Sequence, residues 1–150
     1  MRGMGCTMTA ALIDGPHLMI TQVGDSRMYV LRGGDIEQVT ADQTIYDTLR
    51  ASGQDPEKTL GKGPWKSTLT QAMGAQSHLA PVIGEHDLQA NDWLVVSSDG
   101  LHRVLDLQDI ADIVWSEGTP GEKARRMVKK TVEGGAPDNV SVIVAQLTGA

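Results

Sequence analysis

The chain has 150 residues, of which 40% are hydrophobic, and its net charge is −6 from 13 basic and 19 acidic residues. This length predicts a single domain spanning residues 1–150, while the charge argues against a nucleic-acid partner and against a polybasic membrane anchor. No apolar run is long enough for a transmembrane helix. Because Cys6 is the single cysteine, no intramolecular disulfide can form, which predicts a reducing, cytoplasmic location.

The first forty residues predict four short strands separated by turns that contain glycine. Hydrophobic and β-branched residues dominate the first three runs, and Gly or Asp-Gly follows each of these three, as is typical of hairpins. We expect the four strands to form one antiparallel meander. The predicted strands are residues 8–13, 17–23, 27–32 and 36–39.

The central part of the chain is less regular. A helix is predicted over 42–52, and residues 53–67 are rich in Gly, Pro and charge, which predicts a loop long enough for a functional role. Further strands are predicted over 81–87, 93–98 and 140–147.

Two helices are predicted late in the chain. The first follows a possible N-cap at Asp106, and the second begins at a capping box that starts with Thr119. The spacing of apolar residues defines the face that each helix should bury. These residues are Leu107, Ile110, Ala111 and Val114 in the first helix, and Ala124, Met127, Val128 and Thr131 or Val132 in the second. The predicted fold class is therefore α+β, with mostly antiparallel strands.

Three aspartates stand out by their position at the ends of predicted strands: Asp25, Asp99 and Asp138. A carboxylate beside a buried strand is unfavourable unless it is paired or binds a cation. If the three carboxylates converged, they would form an oxygen-rich site for Mg²⁺ or Mn²⁺. A single Asp in such a turn more commonly caps the turn, and spacing alone does not distinguish the two interpretations.

Six short segments, in this order and spacing, resemble the metal-dependent Ser/Thr protein phosphatase family, protein phosphatase 2C. The similarity runs along almost the whole chain. The segments are Gly3-Met4-Gly5-Cys6-Thr7, Val23-Gly24-Asp25-Ser26-Arg27-Met28-Tyr29, Val39-Thr40-Ala41-Asp42, Leu69-Thr70-Gln71-Ala72-Met73-Gly74, Val96-Ser97-Ser98-Asp99-Gly100-Leu101 and Asp138-Asn139-Val140-Ser141-Val142.

This resemblance implies an antiparallel β-sandwich with flanking helices, and Mg²⁺ or Mn²⁺ at one end of the sheets. It implies that Asp99 and Asp138 are catalytic metal ligands, and that Asp25 shares an accessory metal site with Asp99. Residues 43–67 match the variable flap beside the family's active site, where Trp65 could contact substrate. The implied activity is hydrolysis of a phosphoprotein or of a small phosphate ester, by water that the metal ions activate.

The family pattern begins upstream of Met1, so the 150 residues lack the N-terminal strands and one helix pair of that fold. They also lack the phosphate-binding Arg and the Asp-Gly-x-Gly-Gly-His segment, whose Asp bridges two metal ions. We therefore expect weak or absent phosphatase activity. We also expect a bare apolar sheet face that a second copy covers in a homodimer.

Two other functions remain open from the sequence. The first is a non-catalytic dimeric remnant that binds a partner or a phosphoprotein, which the missing Arg and Asp favour. The second is a hydrolase of carboxylic esters on the same scaffold, which no residue specifically indicates.

Overall fold

The computed structural model describes residues 4–61 and 63–149. It confirms an α+β architecture in which strands dominate the first half and helices the second. The elements in chain order are β1 (Met8–Asp14), β2 (His17–Val23), β3 (Arg27–Arg32), β4 (Asp35–Gln38), α1 (Ile45–Ala51), α2 (Pro56–Leu60), a 3₁₀ helix (Pro64–Ser67), β5 (Val82–Asp87), β6 (Trp93–Ser97), α3 (Asp99–His102), α4 (Leu107–Trp115), α5 (Pro120–Glu133) and β7 (Val142–Gln146).

The strands form two antiparallel sheets, in the orders β1-β2-β5 and β4-β3-β6-β7. The prediction of a single meander was therefore wrong at one point, because β2 and β3 pair with different neighbours. The turn between them carries the chain from one sheet to the other. Since that turn contains Asp25, the change of sheet places a carboxylate at one end of the β-sandwich.

The space between the two sheets is filled by aliphatic and methionine side chains. Alternate residues of β2 point inward, where Leu18 and Ile20 meet Met28 and Val30 of β3 and Leu94 of β6. All five are buried, so this core accounts for the hydrophobic contribution that holds the two sheets together.

Helices α4 and α5 cover the other face of the four-stranded sheet. Ile110, Ala111 and Val114 are buried as predicted, and the Asp106 carboxylate accepts a hydrogen bond from the backbone amide of Asp109 (2.8 Å). Leu107, at the beginning of α4, is exposed.

The buried face of α5 differs from the prediction. Met127 is buried as predicted, and of the two alternatives Thr131 is buried while Val132 is exposed, but Lys123, which was not predicted, is buried as well. The Lys123 ammonium lies 4.9 Å from the centre of the Trp93 ring and donates a hydrogen bond to the Ser116 carbonyl. A buried lysine is tolerated here because its charge has both an aromatic face and a carbonyl oxygen as partners.

Residues 53–67 are not a plain loop, as the sequence predicted, but contain α2 and the 3₁₀ helix. The Asp55 carboxylate caps α2 by accepting from the backbone amides of Glu57 (3.0 Å) and Lys58 (3.3 Å). Helices of five and four residues carry no apolar periodicity, which explains why composition suggested a loop.

The outer face of the three-stranded sheet is open to solvent and carries several exposed apolar side chains, with the charged residue Glu85 opposite Met19. Leu12, Met19 and Ile83 on its three strands are 58%, 45% and 72% exposed, and the register places Leu12 opposite Met19. Among the described residues, no helix has the length and hydropathy required to span a membrane.

Candidate active site

The turn that holds Asp25 is fixed from both sides by glutamine side chains. The amide nitrogen of Gln22 donates to the carbonyls of Gly24 (3.1 Å) and Ser26 (2.9 Å), and the Gly24 backbone amide donates to Oε1 of Gln43 (2.8 Å). Gly24 has φ +101°, and a Cβ atom there would overlap the Thr7 side chain, so this position requires glycine. The Asp25 backbone therefore has one defined position.

Asp99 and Asp138 are far apart in sequence but lie on adjacent segments. The Ser98 backbone amide donates to the Ser141 carbonyl (3.0 Å), and the Ser141 amide donates to Ser98 Oγ (3.0 Å). Gly100 permits this approach, because a Cβ atom there would overlap the Asn139 carbonyl group. The end of β6 and the segment before β7 thus hold the two aspartates at one end of the sheet.

One guanidinium group joins the two carboxylates. Nη2 of Arg103 lies 2.5 Å from Oδ2 of Asp99, and Nη1 lies 3.5 Å from Oδ2 of Asp138. The Arg103 side chain is 33% exposed, so it lies at the surface of the cluster. Arg103 was not singled out in the sequence, although its position four residues after Asp99 is the spacing that allows an ion pair on a helix.

Asp25 has a different environment, because its carboxylate is buried and has no ion-pair partner within the described ranges. The residue is 6% exposed. Burial raises the pKa of Asp25 from its ordinary value of 3.8 to about 6, and the negative charges of Asp99 and Asp42 add to the rise. The effect of Asp99 on this pKa means that the two carboxylates repel each other, a situation that a cation between them would relieve.

Asp25 lines an open cavity of about 620 Å³ together with His102 and Arg103. Burial lowers the pKa of His102 to about 3, and the positive charges of Arg27 and Arg103 lower it further. His102 is therefore neutral at pH 7, and its buried Nδ1 has no hydrogen-bond partner in the described part of the chain.

Arg27, on the same cavity, is held by Asp42. Its Nε and Nη2 atoms donate to the two carboxylate oxygens of Asp42 at 3.0 and 2.7 Å. Because this bidentate pair occupies the Arg27 guanidinium, Arg27 does not serve as the counter-ion of Asp25.

Trp65, the predicted substrate contact, lies in the 3₁₀ helix and lines a neighbouring cavity of about 420 Å³. Tyr46 and Lys66 line both cavities. Trp65 therefore lies near the Asp25 cavity but does not line it.

Comparison with known proteins finds similarity to protein phosphatases. The sequence model of protein phosphatase 2C matches residues 2–49. The protein phosphatase PhpP of Streptococcus pneumoniae is 30% identical over 146 residues, which are 97% of this chain and 59% of PhpP. A crystal structure of the Mycobacterium tuberculosis serine/threonine phosphatase PstP is similar over 98% of this chain, with a TM-score of 0.87 and 33% identity.

The chain is therefore similar to protein phosphatases of the 2C family along almost its whole length. It spans 59% of PhpP and 62% of the PstP crystal structure, so it corresponds to somewhat more than half of these phosphatase 2C relatives. A second structure, of the PstP catalytic domain in complex with two manganese ions, matches 98% of this chain with a TM-score of 0.83 and 31% identity.

The donor set fits Mg²⁺ or Mn²⁺ at Asp25 and Asp99, because both carboxylates are oxygen ligands and they repel each other, while the positive charge of Arg103 offsets this repulsion only in part. Between Asp99 and Asp138 the guanidinium of Arg103 provides the positive charge instead. In this arrangement no three His, Cys, Asp or Glu side chains within residues 4–61 and 63–149 are placed to hold one metal ion.

Proposed function

We propose that this chain is a metal-dependent phosphate-ester hydrolase. In this proposal Asp25, Asp99 and Asp138 bind Mg²⁺ or Mn²⁺, and Asp99 and Asp138 are the catalytic carboxylates. The observation that carries it is the approach of Asp99 and Asp138 to a single guanidinium beside the buried Asp25. The similarity to a phosphatase structure with two manganese ions supports the choice of metal.

The chain's own residues contribute binding and orientation. A divalent cation, when bound, supplies Lewis-acid polarisation of a phosphoryl group and makes water more acidic. Gln22 and Gln43 fix the turn that presents Asp25, and Gly100 allows Asp138 to approach Asp99. We propose that residues 43–67 act as a flap beside this site, with Trp65 close to bound substrate, within one domain spanning residues 1–150.

The proposed substrates are phosphoproteins or small phosphate esters. The relatives are Ser/Thr protein phosphatases, but the fold alone does not select the substrate. A cytoplasmic location also belongs to the proposal, supported by the single cysteine. We expect turnover to be slow, because the 150 residues contain no Asp-Gly-x-Gly-Gly-His segment.

The test is hydrolysis of p-nitrophenyl phosphate with and without Mn²⁺, using the wild-type chain, Asp99→Asn and Asp35→Asn. We expect Mn²⁺-dependent turnover in the wild type, and a loss of about 100-fold or more in Asp99→Asn, because Asp99 contributes to every proposed metal position. Asp35, an exposed residue at the start of β4, is the matched control and should keep the wild-type rate.

Turnover that needs no metal and survives Asp99→Asn would contradict the proposal. Hydrolysis of p-nitrophenyl acetate, but not of the phosphate ester, would favour a carboxylic ester hydrolase. No turnover of either ester, by protein that is folded, would favour the non-catalytic binding function.

We also propose that a second copy covers the outer face of the β1-β2-β5 sheet. The patch formed by Leu12, Met19 and Ile83 is apolar and exposed, and an apolar patch of this kind can pair with itself about a two-fold axis. Light scattering should give twice the chain mass of 16.0 kDa for the wild type.

Met19→Glu should give a single-chain mass, because it places a charge in the proposed interface. Ile143→Glu is the control, since Ile143 is equally apolar and 66% exposed but lies on β7 of the other sheet. A wild-type mass of 16.0 kDa at high concentration would exclude the dimer.

A further inference from the structure

Arg103 holds a position that is defined by two separate elements. It follows α3 directly, and its backbone amide donates to the Asp99 carbonyl (3.1 Å). Its side chain returns toward the start of the same helix and reaches Asp99, while the segment before β7 supplies Asp138. The hydrogen bonds between Ser98 and Ser141 hold together the two segments that carry these aspartates, so the guanidinium can contact both carboxylates.

The guanidinium of Arg103 occupies the position between two carboxylates that a metal cation could also occupy. Two carboxylates contribute −2 and the guanidinium contributes +1, and different Arg103 nitrogens contact each carboxylate. A divalent cation bound by the same oxygens would be repelled by the guanidinium at such short range. The two cations therefore cannot share the position.

Arg103 can leave this position without unfolding the site. Its side chain is 33% exposed and lies on the wall of the open cavity beside Asp25. A long side chain at a surface can turn into solvent at little cost, whereas a fully buried ion pair could not separate so easily.

On this basis, and resting on the proposed metal-dependent function, we propose that Arg103 is a built-in competitor for the divalent cation. In the metal-free chain its guanidinium binds Asp99 and Asp138. It must swing away before Mg²⁺ or Mn²⁺ binds these two carboxylates. Arg103 therefore sets the metal affinity of the site, and it acts on the metal position without being a ligand.

The first test is isothermal titration calorimetry with Mn²⁺ alone, on the wild type, Arg103→Gln and Arg50→Gln. We expect Arg103→Gln to bind Mn²⁺ about tenfold more tightly or better, because no cation then competes for the carboxylates. Arg50 lines the same cavity but forms no ion pair with Asp99 or Asp138 among the described residues, so Arg50→Gln controls for a general loss of positive charge. Its affinity should stay within about threefold of the wild type.

The second measurement needs no variant that removes the ion pair. The Nη–H signals of Arg103 in ¹⁵N NMR spectra, assigned with Arg103→Lys, should be protected from solvent exchange in the metal-free wild type, because the Nη atoms contact the two carboxylates. Saturation with Mg²⁺ should weaken that protection as the guanidinium leaves the carboxylates. An unchanged signal in the Mg²⁺-saturated chain would overturn the inference, even if Arg103→Gln does not fold.

The outcomes separate the inference from the function beneath it. Equal Mn²⁺ affinity in the wild type and in folded Arg103→Gln, together with Mn²⁺-dependent turnover, would overturn the role of Arg103 and leave the proposed function intact. No Mn²⁺ binding in any of the three proteins would overturn both. An equal gain in Arg50→Gln and Arg103→Gln would assign the effect to overall charge and overturn the competition.

Discussion

Replacing Gly100 with alanine is expected to lower the free energy of unfolding by about 2 kcal/mol and to weaken Mn²⁺ binding. A Cβ atom at this position would overlap the backbone carbonyl of Asn139. Backbone atoms cannot turn aside as a side chain can, so the overlap costs up to about 3 kcal/mol. The better helix propensity of alanine returns about 1 kcal/mol of this.

The measurement is urea unfolding of Gly100→Ala, followed by Mn²⁺ titration of the folded variant. Gly121→Ala, in the first turn of α5, is the matched control because its Cβ would meet only the far end of the Arg125 side chain at 4.0 Å. That control should be neutral or more stable by up to about 1 kcal/mol. Unchanged stability and unchanged Mn²⁺ affinity in Gly100→Ala would show that the contact between Gly100 and Asn139 does not position Asp138.

Asp25→Asn is expected to stabilise the metal-free chain at pH 7 by about 2 to 3 kcal/mol. The residue Asp25 is 6% exposed, and its pKa is raised to about 6, first by burial and then by Asp99 and Asp42. Asparagine removes a charge that folding places in an unfavourable environment, while it keeps nearly the same shape. A protein that becomes more stable when a charged side chain is removed commonly uses that side chain for function.

The pH dependence follows from the direction of this shift. The pKa of Asp25 is 3.8 before perturbation and about 6 in the folded chain, so the unfolded chain releases its proton at lower pH. Between these values the folded state binds more protons than the unfolded state, and wild-type stability falls as the pH rises. The difference in free energy of unfolding between Asp25→Asn and the wild type should therefore be small below pH 4, increase between pH 4 and 6, and remain constant above pH 6.

Urea unfolding in EDTA at four pH values tests this prediction. Asp35→Asn serves as the control, because Asp35 is exposed, and its stability should follow the wild type throughout. A wild-type chain as stable as Asp25→Asn at pH 7 would mean that the folded state already balances the Asp25 charge.

Local sequence signals predicted the strands well but not their arrangement. Strand β2 was recognised from residues 17–23 and β3 from residues 27–32, because both have apolar runs bounded by turn residues. Their assignment to different sheets depends on pairing with β5 and β6, which lie more than fifty residues away. Pairing at that distance is set by tertiary packing, and no local pattern contains it.

The burial of the charged residue Lys123 could also not be predicted from the sequence. The apolar spacing of α5 predicted Thr131 or Val132 as a core position, and Thr131 is buried, but nothing in that spacing indicated that Lys123 would also be buried. The reason lies in the partners that Lys123 finds, the Trp93 ring and the Ser116 carbonyl, and these belong to other elements. By contrast, the Thr119 capping box formed as predicted, since capping is a local interaction.

In the candidate site, too, local features were predicted from the sequence and tertiary contacts were not. Asp25, Asp99 and Asp138 were recognised by their places after strands and by the family resemblance, and the structure brings Asp99 and Asp138 to one guanidinium. Arg103 lies between them because the residues around α3 and the distant segment before β7 meet at this point. The i,i+4 spacing of Asp99 and Arg103 could have indicated the ion pair, but not that Asp138 would share it.

The most direct measurement is a crystal structure of the chain soaked in MnCl₂, with anomalous diffraction recorded at the manganese edge. The proposed chemistry predicts an anomalous peak in direct contact with the carboxylates of Asp25 and Asp99, and an Arg103 side chain turned away from Asp99. Crystals with no anomalous peak at saturating Mn²⁺, and with Arg103 still bound to both Asp99 and Asp138, would contradict it.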